Sequence, residues 1–201
     1  MSKYNAKPSG EFETTPTGSH LARIYSIVDI GDQEYTNPQD GKTKITRKVV
    51  YGFELVSELM KDGRPFVASK FYTASLHDKA SLMIDLNNLR GKAMSQSDKE
   101  KFDDAKLLNI PCMVSIVHKA KADGNISASI SSLSPVPKGL EVPPLANDTC
   151  YFDLDAQNEG EKQKIPDWIY SKINWNTAGI SVAQPSSVSA SVEDEFDDIP
   201  F

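Results

Sequence analysis

Apolar and polar positions begin to alternate at Leu21. Ala22, Ile24, Ser26, Val28 and Ile30 fall on one face, and Leu21, Arg23, Tyr25, Ile27 and Asp29 on the other. That period of two predicts a strand of about ten residues. The stretch GDQEYTNPQDGKT (31–43) is rich in Gly, Asn, Pro and Asp and predicts a long loop. KITRKVVYGFELVS (44–57) is β-branched and aromatic and predicts a second strand, with Gly52 marking a bulge or sharp bend. The turn KDGR (61–64) leads into a third strand, PFVASKFYTAS (65–75), so the pair reads as a hairpin. In HDKASLMIDLNNLRG (77–91), Ala80, Met83, Ile84 and Leu86 recur near helical spacing, Asp78 or Ser75 can cap, and Gly91 stands at the exit. SDKEKFDDAKL (97–107) predicts a second short helix or turn. IPCMVSIVHK (110–119) and NISASISSL (125–133) alternate again and predict two more strands.

Three strands, a helix and two strands is the order of an OB-fold, a five-stranded barrel with its helix between strands 3 and 4. Other small barrels, or an open α+β sheet, use the same order. The expected fold is therefore mainly β, an OB-fold-like barrel followed by a disordered acidic C-terminal tail. The boundaries that composition suggests are a flexible lead-in over 1–17 and a nucleic-acid-binding domain over 18–140. A linker with a short docking helix follows over 141–175, then a tail over 176–201. Within 141–175, CYFDLD (150–155) reads as a short strand or docking segment. Pro166 suits a helix's first turn, with Trp168, Ile169, Lys172 and Ile173 on roughly one side. Two Trp in so short a segment point to packing on the barrel.

The net charge of −6 changes this picture only once it is divided along the chain. Residues 17–140 carry 17 Lys and Arg against 14 Asp and Glu, a net +3, whereas residues 141–201 carry three Lys against 12 acidic residues, a net −9. A mildly basic body with an acidic tail is compatible with phosphate binding, because charges act over a Debye length of about 8 Å. Cys112 and Cys150 lie far apart with no CxxC, which predicts free thiols in a reducing cytoplasm. No apolar run approaches the roughly 20 residues of a membrane span. His20, His77 and His118 are isolated, and no Walker loop, GxSxG, HExxH or dinucleotide fingerprint occurs. No enzyme activity, metal or cofactor is expected.

Binding single strands without sequence preference needs cations along a groove and aromatic faces for bases to stack on. With Ala22, Ile24 and Val28 turned inward, Arg23 and Tyr25 face outward together. Arg47, Tyr51 and Phe53 share a face of the second strand, and Lys70 and Tyr72 a face of the third. The outer surface of the second and third strands is where OB-folds hold oligonucleotides. Lys42 and Lys44 in the first loop, with Lys119 and Lys121 in the last, would flank it. The competing reading has the aromatics as core or cross-strand pairs and the lysines as solubilising charge. Arg90 and Lys92 are weaker phosphate candidates, since basic residues also suit helix C-termini.

The last eight residues, DEFDDIPF (194–201), place Phe196, Ile199, Pro200 and Phe201 among Asp194, Asp197 and Asp198. A frayed acidic end explains the carboxylates but not the terminal Ile-Pro-Phe. The peptide resembles the acidic tip of bacterial single-stranded DNA-binding proteins, which implies docking to replication, recombination and repair enzymes. On such a partner a basic rim would take the carboxylates and a pocket would take Phe201. Across about 11–175, the succession SLHDKASL, LRGK, NIPCMVSIVH, PVPKGL and IPDWIYSKI is similar to a family of phage-encoded replication-module proteins described as single-stranded DNA-binding. The expectation is a protein that binds single-stranded DNA during phage replication or recombination and recruits partners through its tip, in the host bacterial cytoplasm. The alternative is an adaptor or decoy that displays the tip without binding DNA.

Overall fold

Strand β1 (Gly18–Thr36) is the element on which the sheet is hung. In the computed structural model the residues described are 13–39, 41–120, 124, 126–156 and 158–178. β1 pairs along its length with β2 (Thr43–Leu59), which pairs in turn with β3 (Pro65–Thr73). The first residues of β1 also pair with β4 (Pro111–Ala120), and β4 with β5 (Ile126–Ser134). All four pairings are antiparallel, giving the order β3-β2-β1-β4-β5. A sixth strand, β6 (Cys150–Phe152), lies parallel to Ser26, Ile27 and Val28. It takes the edge of β1 just past the point where β4 leaves it at Arg23, so that backbone edge stays hydrogen-bonded. The edge strands β3 and β5 come into contact, with helix α1 (Ser81–Arg90) against both, but among the described residues they share no ladder. The protein is thus mainly β, a curled but open six-stranded sheet with few short helices.

The predicted loop 31–43 is mostly strand. β1 continues to Thr36 and β2 starts at Thr43, with Gln33 opposite Thr46, Glu34 opposite Ile45 and Tyr35 opposite Lys44. Its polar composition concealed a two-stranded ribbon that makes its backbone bonds without an apolar face to bury.

Two register shifts in β1 overturn the single-face alternation. Ile24 faces Phe53 and Ser26 faces Gly52, so Tyr25 is an extra residue, and Ile30 is another between Asp29 and Gly31. Ala22, Ile24 and Ile27 therefore enter the main core with Tyr51, Phe53, Leu55, Tyr72, Leu82, Val114 and Ile130. Val28 and Ile30 join a second cluster on the opposite face. The irregularity expected at Gly52 lies on the partner strand instead. A Cβ on Gly52 would meet Ser26 Oγ at 2.1 Å and the Tyr25 ring at 2.7 Å, so the missing side chain admits Tyr25.

Helix α1 begins later than its sequence suggested. Its N-cap is Ala80, with no side-chain cap, and Gly91 closes it in the left-handed region at φ 67°, its N–H bonding Asn88 O. Its buried face is Leu82, Met83, Asp85 and Leu86, while Ile84 is exposed. Asp85 is a core carboxylate that accepts from Tyr72 Oη at 2.7 Å and lies 3.0 Å from Lys70 Nζ, tying α1 to β3. Helix α2 (Gln96–Glu100) has a capping box of Ser95 and Asp98, and a 3-10 turn follows over Asp104–Leu107.

The second cluster is built mostly by the segment expected to be a linker with a short docking helix, and Ala178 of the predicted tail packs against it. Phe152, Leu154, Ile165, Ile169 and Ile173 pack on Val28, Ile30 and Val50, with Trp168 against Phe71 at 6.1 Å between ring centroids. The short helices α3 (Glu159–Lys162) and α4 (Asp167–Tyr170) carry part of this layer, with Pro166 as the N-cap of α4. Each buried aliphatic side chain here contributes about 1.5–3 kcal/mol. Residues 176–178, assigned to a disordered tail, are packed: Thr177 Oγ1 accepts from Asp32 N at 3.1 Å, and Ala178 touches the cluster. Residues 13–17 are likewise held, by Glu13 Oε1 on Lys61 N at 3.0 Å and Thr15 O on His118 Nε2 at 2.8 Å. The rest of the predicted tail, 179–201, lies outside the described residues, as do 1–12 of the lead-in.

Candidate nucleic-acid interface

The predicted stacking aromatics lie inside the protein. Tyr51 is 2% exposed and Phe53 and Tyr72 are 0% exposed, all three in the main core. Their strands alternate as expected, but the apolar face is the one bearing these rings, and a base cannot reach a ring packed from both sides. Tyr51 and Tyr72 stack edge to face at 5.2 Å. Burial pushes both hydroxyls well above the ordinary tyrosine range. Tyr25 is half-buried over Gly52, and burial raises its hydroxyl as well.

The basic residues on the same strands are committed to structure. Arg23 and Glu54 are cross-strand partners on the outer face, and together they grip residues 142–147. Arg23 donates from Nε to Pro143 O at 2.7 Å and from Nη2 to Val142 O at 2.9 Å. Glu54 is buried and accepts from Ala146 N at 2.7 Å, Asn147 N at 2.9 Å and Asn147 Nδ2 at 2.7 Å. Lys70 pairs with Asp85 and sits 5.5 Å from the centroid of the Tyr72 ring. Arg47 donates from Nε to Asp29 at 2.9 Å and reaches Asp155 at 2.9 Å, and its hydrogen bond to Asp29 leads the causes that raise its pKa.

Arg47 also stands in a cleft of about 340 Å³ whose wall carries Asp29, Asp104, Asp153 and Asp155 beside Phe102. Four carboxylates around one guanidinium would repel phosphate. Burial raises Asp104 above the usual carboxylate range, although Tyr151 Oη donates to it at 2.7 Å. Among the described residues no group of three or more His, Cys, Asp or Glu could hold a metal ion.

Lys42, Lys44 and Lys119 remain exposed. Lys44 is opposite Tyr35 near the tip of the β1–β2 ribbon, and Lys119 opposite Ser127 in the β4–β5 hairpin. The ladders put these two tips past opposite ends of β1, where Thr36 faces Thr43 and Gly18 faces Ile116. Lys121 and the tip residues Asp194, Phe196, Asp197, Asp198, Ile199, Pro200 and Phe201 lie outside the described residues. Of the weaker candidates, Arg90 pairs with Asp98 at 3.2 Å, and Lys92 lines a shallow hollow beside Gly91, Ser132 and Pro135.

The outer face of β1 and β2, with Phe71 of β3, is covered by residues 142–178. Strand pattern alone could not reveal this, because most of the cover outside β6 is not strand and its contacts lie far along the chain, 92 positions from Glu54 to Ala146 and 119 from Arg23 to Val142. Its signals in the sequence were CYFDLD (150–155), read as a short strand or docking segment, and Trp168, Ile169, Lys172 and Ile173 on one side, with two Trp that pointed to packing on the barrel. No family model matches the chain, and no curated protein does. Among the described residues no helix is long and apolar enough to cross a membrane.

Proposed function

We propose that this protein binds single-stranded DNA without strong sequence preference and recruits replication, recombination or repair proteins through its DEFDDIPF tip. The observation that carries the reading is that peptide, joined in one chain to a sheet of order β3-β2-β1-β4-β5 with α1 between β3 and β4. That order, with β3 and β5 in contact, supports an OB-fold-like barrel. Fold alone does not assign function. The tip supplies the second support, through its resemblance to the partner-docking end of bacterial single-stranded DNA-binding proteins. The role is non-enzymatic, in phage replication or recombination, and the compartment is the host cytoplasm. Lys42, Lys44, Lys119 and Lys121 are the phosphate contacts in this reading, and the aromatic strands are not the stacking surface.

The covered outer face and the acidic cleft at Arg47 favour a second reading, an adaptor that presents the tip while its body holds a protein. Anisotropy of a labelled dT oligonucleotide at two salt concentrations separates the two. Binding that weakens with salt, at a slope of about −0.7 per neutralised phosphate, supports the first. No binding at low salt sinks it and leaves the adaptor. A chain ending at Val192 should keep its DNA affinity while losing capture of tip-binding partners.

A further inference from the structure

The predicted stacking rings are buried, and the exposed aromatic side chains among the described residues are Tyr170, 43% exposed, and Trp175, 36% exposed. They are neighbours. Their ring centroids are 5.4 Å apart at 54°, and Trp175 is seated edge-on against Phe152 at 5.9 Å, so it stands on the second core. Lys162 Nζ lies 4.9 Å from the centroid of the Trp175 ring. The rings are fixed from below. Tyr170 ends helix α4, and Asn174, just before Trp175, bonds Ile30 O through its N–H at 2.9 Å and Asp32 O through Nδ2 at 2.8 Å. A preorganised aromatic pair beside a cation is what sequence-tolerant stacking of a nucleobase requires, because every base offers a π face.

We infer that Tyr170 and Trp175, with Lys162, form the base-stacking platform for a single-stranded nucleic acid. The inference rests on the DNA-binding reading above and deepens it. The layer that covers the outer face of β1 and β2 carries in its place the aromatic surface the sheet no longer exposes. Lys162 is paired with Glu159, and Glu161 and Asp167 belong to the same segment. The platform therefore supplies stacking, and the hairpin lysines supply phosphate neutralisation. Losing one ring should weaken binding with little change in the salt slope.

The test uses the full chain and poly(dT), with intrinsic Trp emission and the anisotropy of a labelled dT oligonucleotide read in parallel. Wild type should show Trp quenching that saturates with the anisotropy change. Trp175→Phe should lose most of that quench, because Trp168 is packed against Phe71. Tyr170→Leu should weaken binding about ten-fold. Binding by anisotropy with no Trp quench, or an undiminished quench in Trp175→Phe, overturns the platform while leaving DNA binding intact. No anisotropy change in wild type overturns the DNA-binding reading itself. Should Tyr170→Leu fail to fold, the Trp175→Phe comparison decides alone.

Discussion

The two faces of the β1–β2 ribbon are stabilised in different ways. The inner face is covered mostly by elements that follow in close succession: β3, α1, β4 and β5 close over Ala22, Ile24, Ile27, Tyr51 and Phe53. The outer face is covered by residues 142–178, held at points rather than by long ladders: three residues of β6, the Arg23–Glu54 grip, and the Asn174 and Thr177 bonds around Gly31. The inner layer is specified by alternation. The outer layer is specified by single residues, each of which leaves a recognisable debt if removed.

The largest test removes the outer layer. A chain ending at Leu140 exposes Val28, Ile30, Val50 and Phe71 together, and it should lose its cooperative thermal transition by circular dichroism. A chain ending at Val192 should melt like the full protein. Equal melting of the two would mean that the outer layer is decoration.

Gly31→Ala should come next. Gly31 has φ 73°, and a Cβ there would lie 2.3 Å from Thr177 Oγ1 and 2.8 Å from Leu154 Cδ2. Left-handed strain and collision together should cost about 2–4 kcal/mol in urea unfolding. Gly63→Ala, at φ 84° in open space, should cost about 1 kcal/mol and isolates the collision.

Glu54→Ala removes the acceptor of three donors, Ala146 N, Asn147 N and Asn147 Nδ2, and should cost about 1–3 kcal/mol. Arg23→Ala releases the other end of the same strap, so the double variant should cost less than the sum of the singles.

The two thiols report on the two layers separately. Burial pushes Cys112 in the inner cluster up to about 12, and Cys150 in the outer cluster up to about 11. Because both folded values are raised, their contribution to stability is full below the unfolded thiol value of about 8.5 and is lost as pH rises toward 12. Urea midpoints should therefore fall between pH 8.5 and 11. In sub-denaturing urea a thiol reagent should modify Cys150 before Cys112, and the reverse order would mean that the inner layer opens first.

Tyr51→Phe has the smallest effect and the opposite sign. The Tyr51 hydroxyl is buried with no hydrogen-bond partner among the described residues. Removing it should raise the melting temperature by about 2–4 °C, and a lower temperature would reveal an interaction the hydroxyl makes.

These contrasts explain what the sequence revealed. Strands β1 to β5 and the position of α1 follow from alternation, the Asp-Gly turn and Gly91. The faces did not follow, because the extra residue Tyr25 shifts the pleat and sends Val28 outward instead of inward. Candidate residues were chosen for chemistry at alternating positions, so the same rings suited a groove or a core. Burial decided for the core at Tyr51, Phe53 and Tyr72. Arg23 looked like a phosphate ligand because nothing local showed that carbonyls 119 and 120 positions away would claim it.

The parallel pairing of β6 with β1 also sets a timetable for synthesis. Ser26, Ile27 and Val28 leave the ribosome about 120 residues before Cys150, Tyr151 and Phe152 do. At about 5–20 residues per second, the outer face of β1 waits roughly 6–24 s for its cover. During that interval the nascent sheet displays Val28, Ile30 and Val50 to other chains and to chaperones. Chains stalled at residue 140 should be cleaved readily by protease and bound by holdase chaperones, and chains stalled well past residue 178 should resist both. The order in which this protein is made thus leaves its most apolar uncovered surface for last.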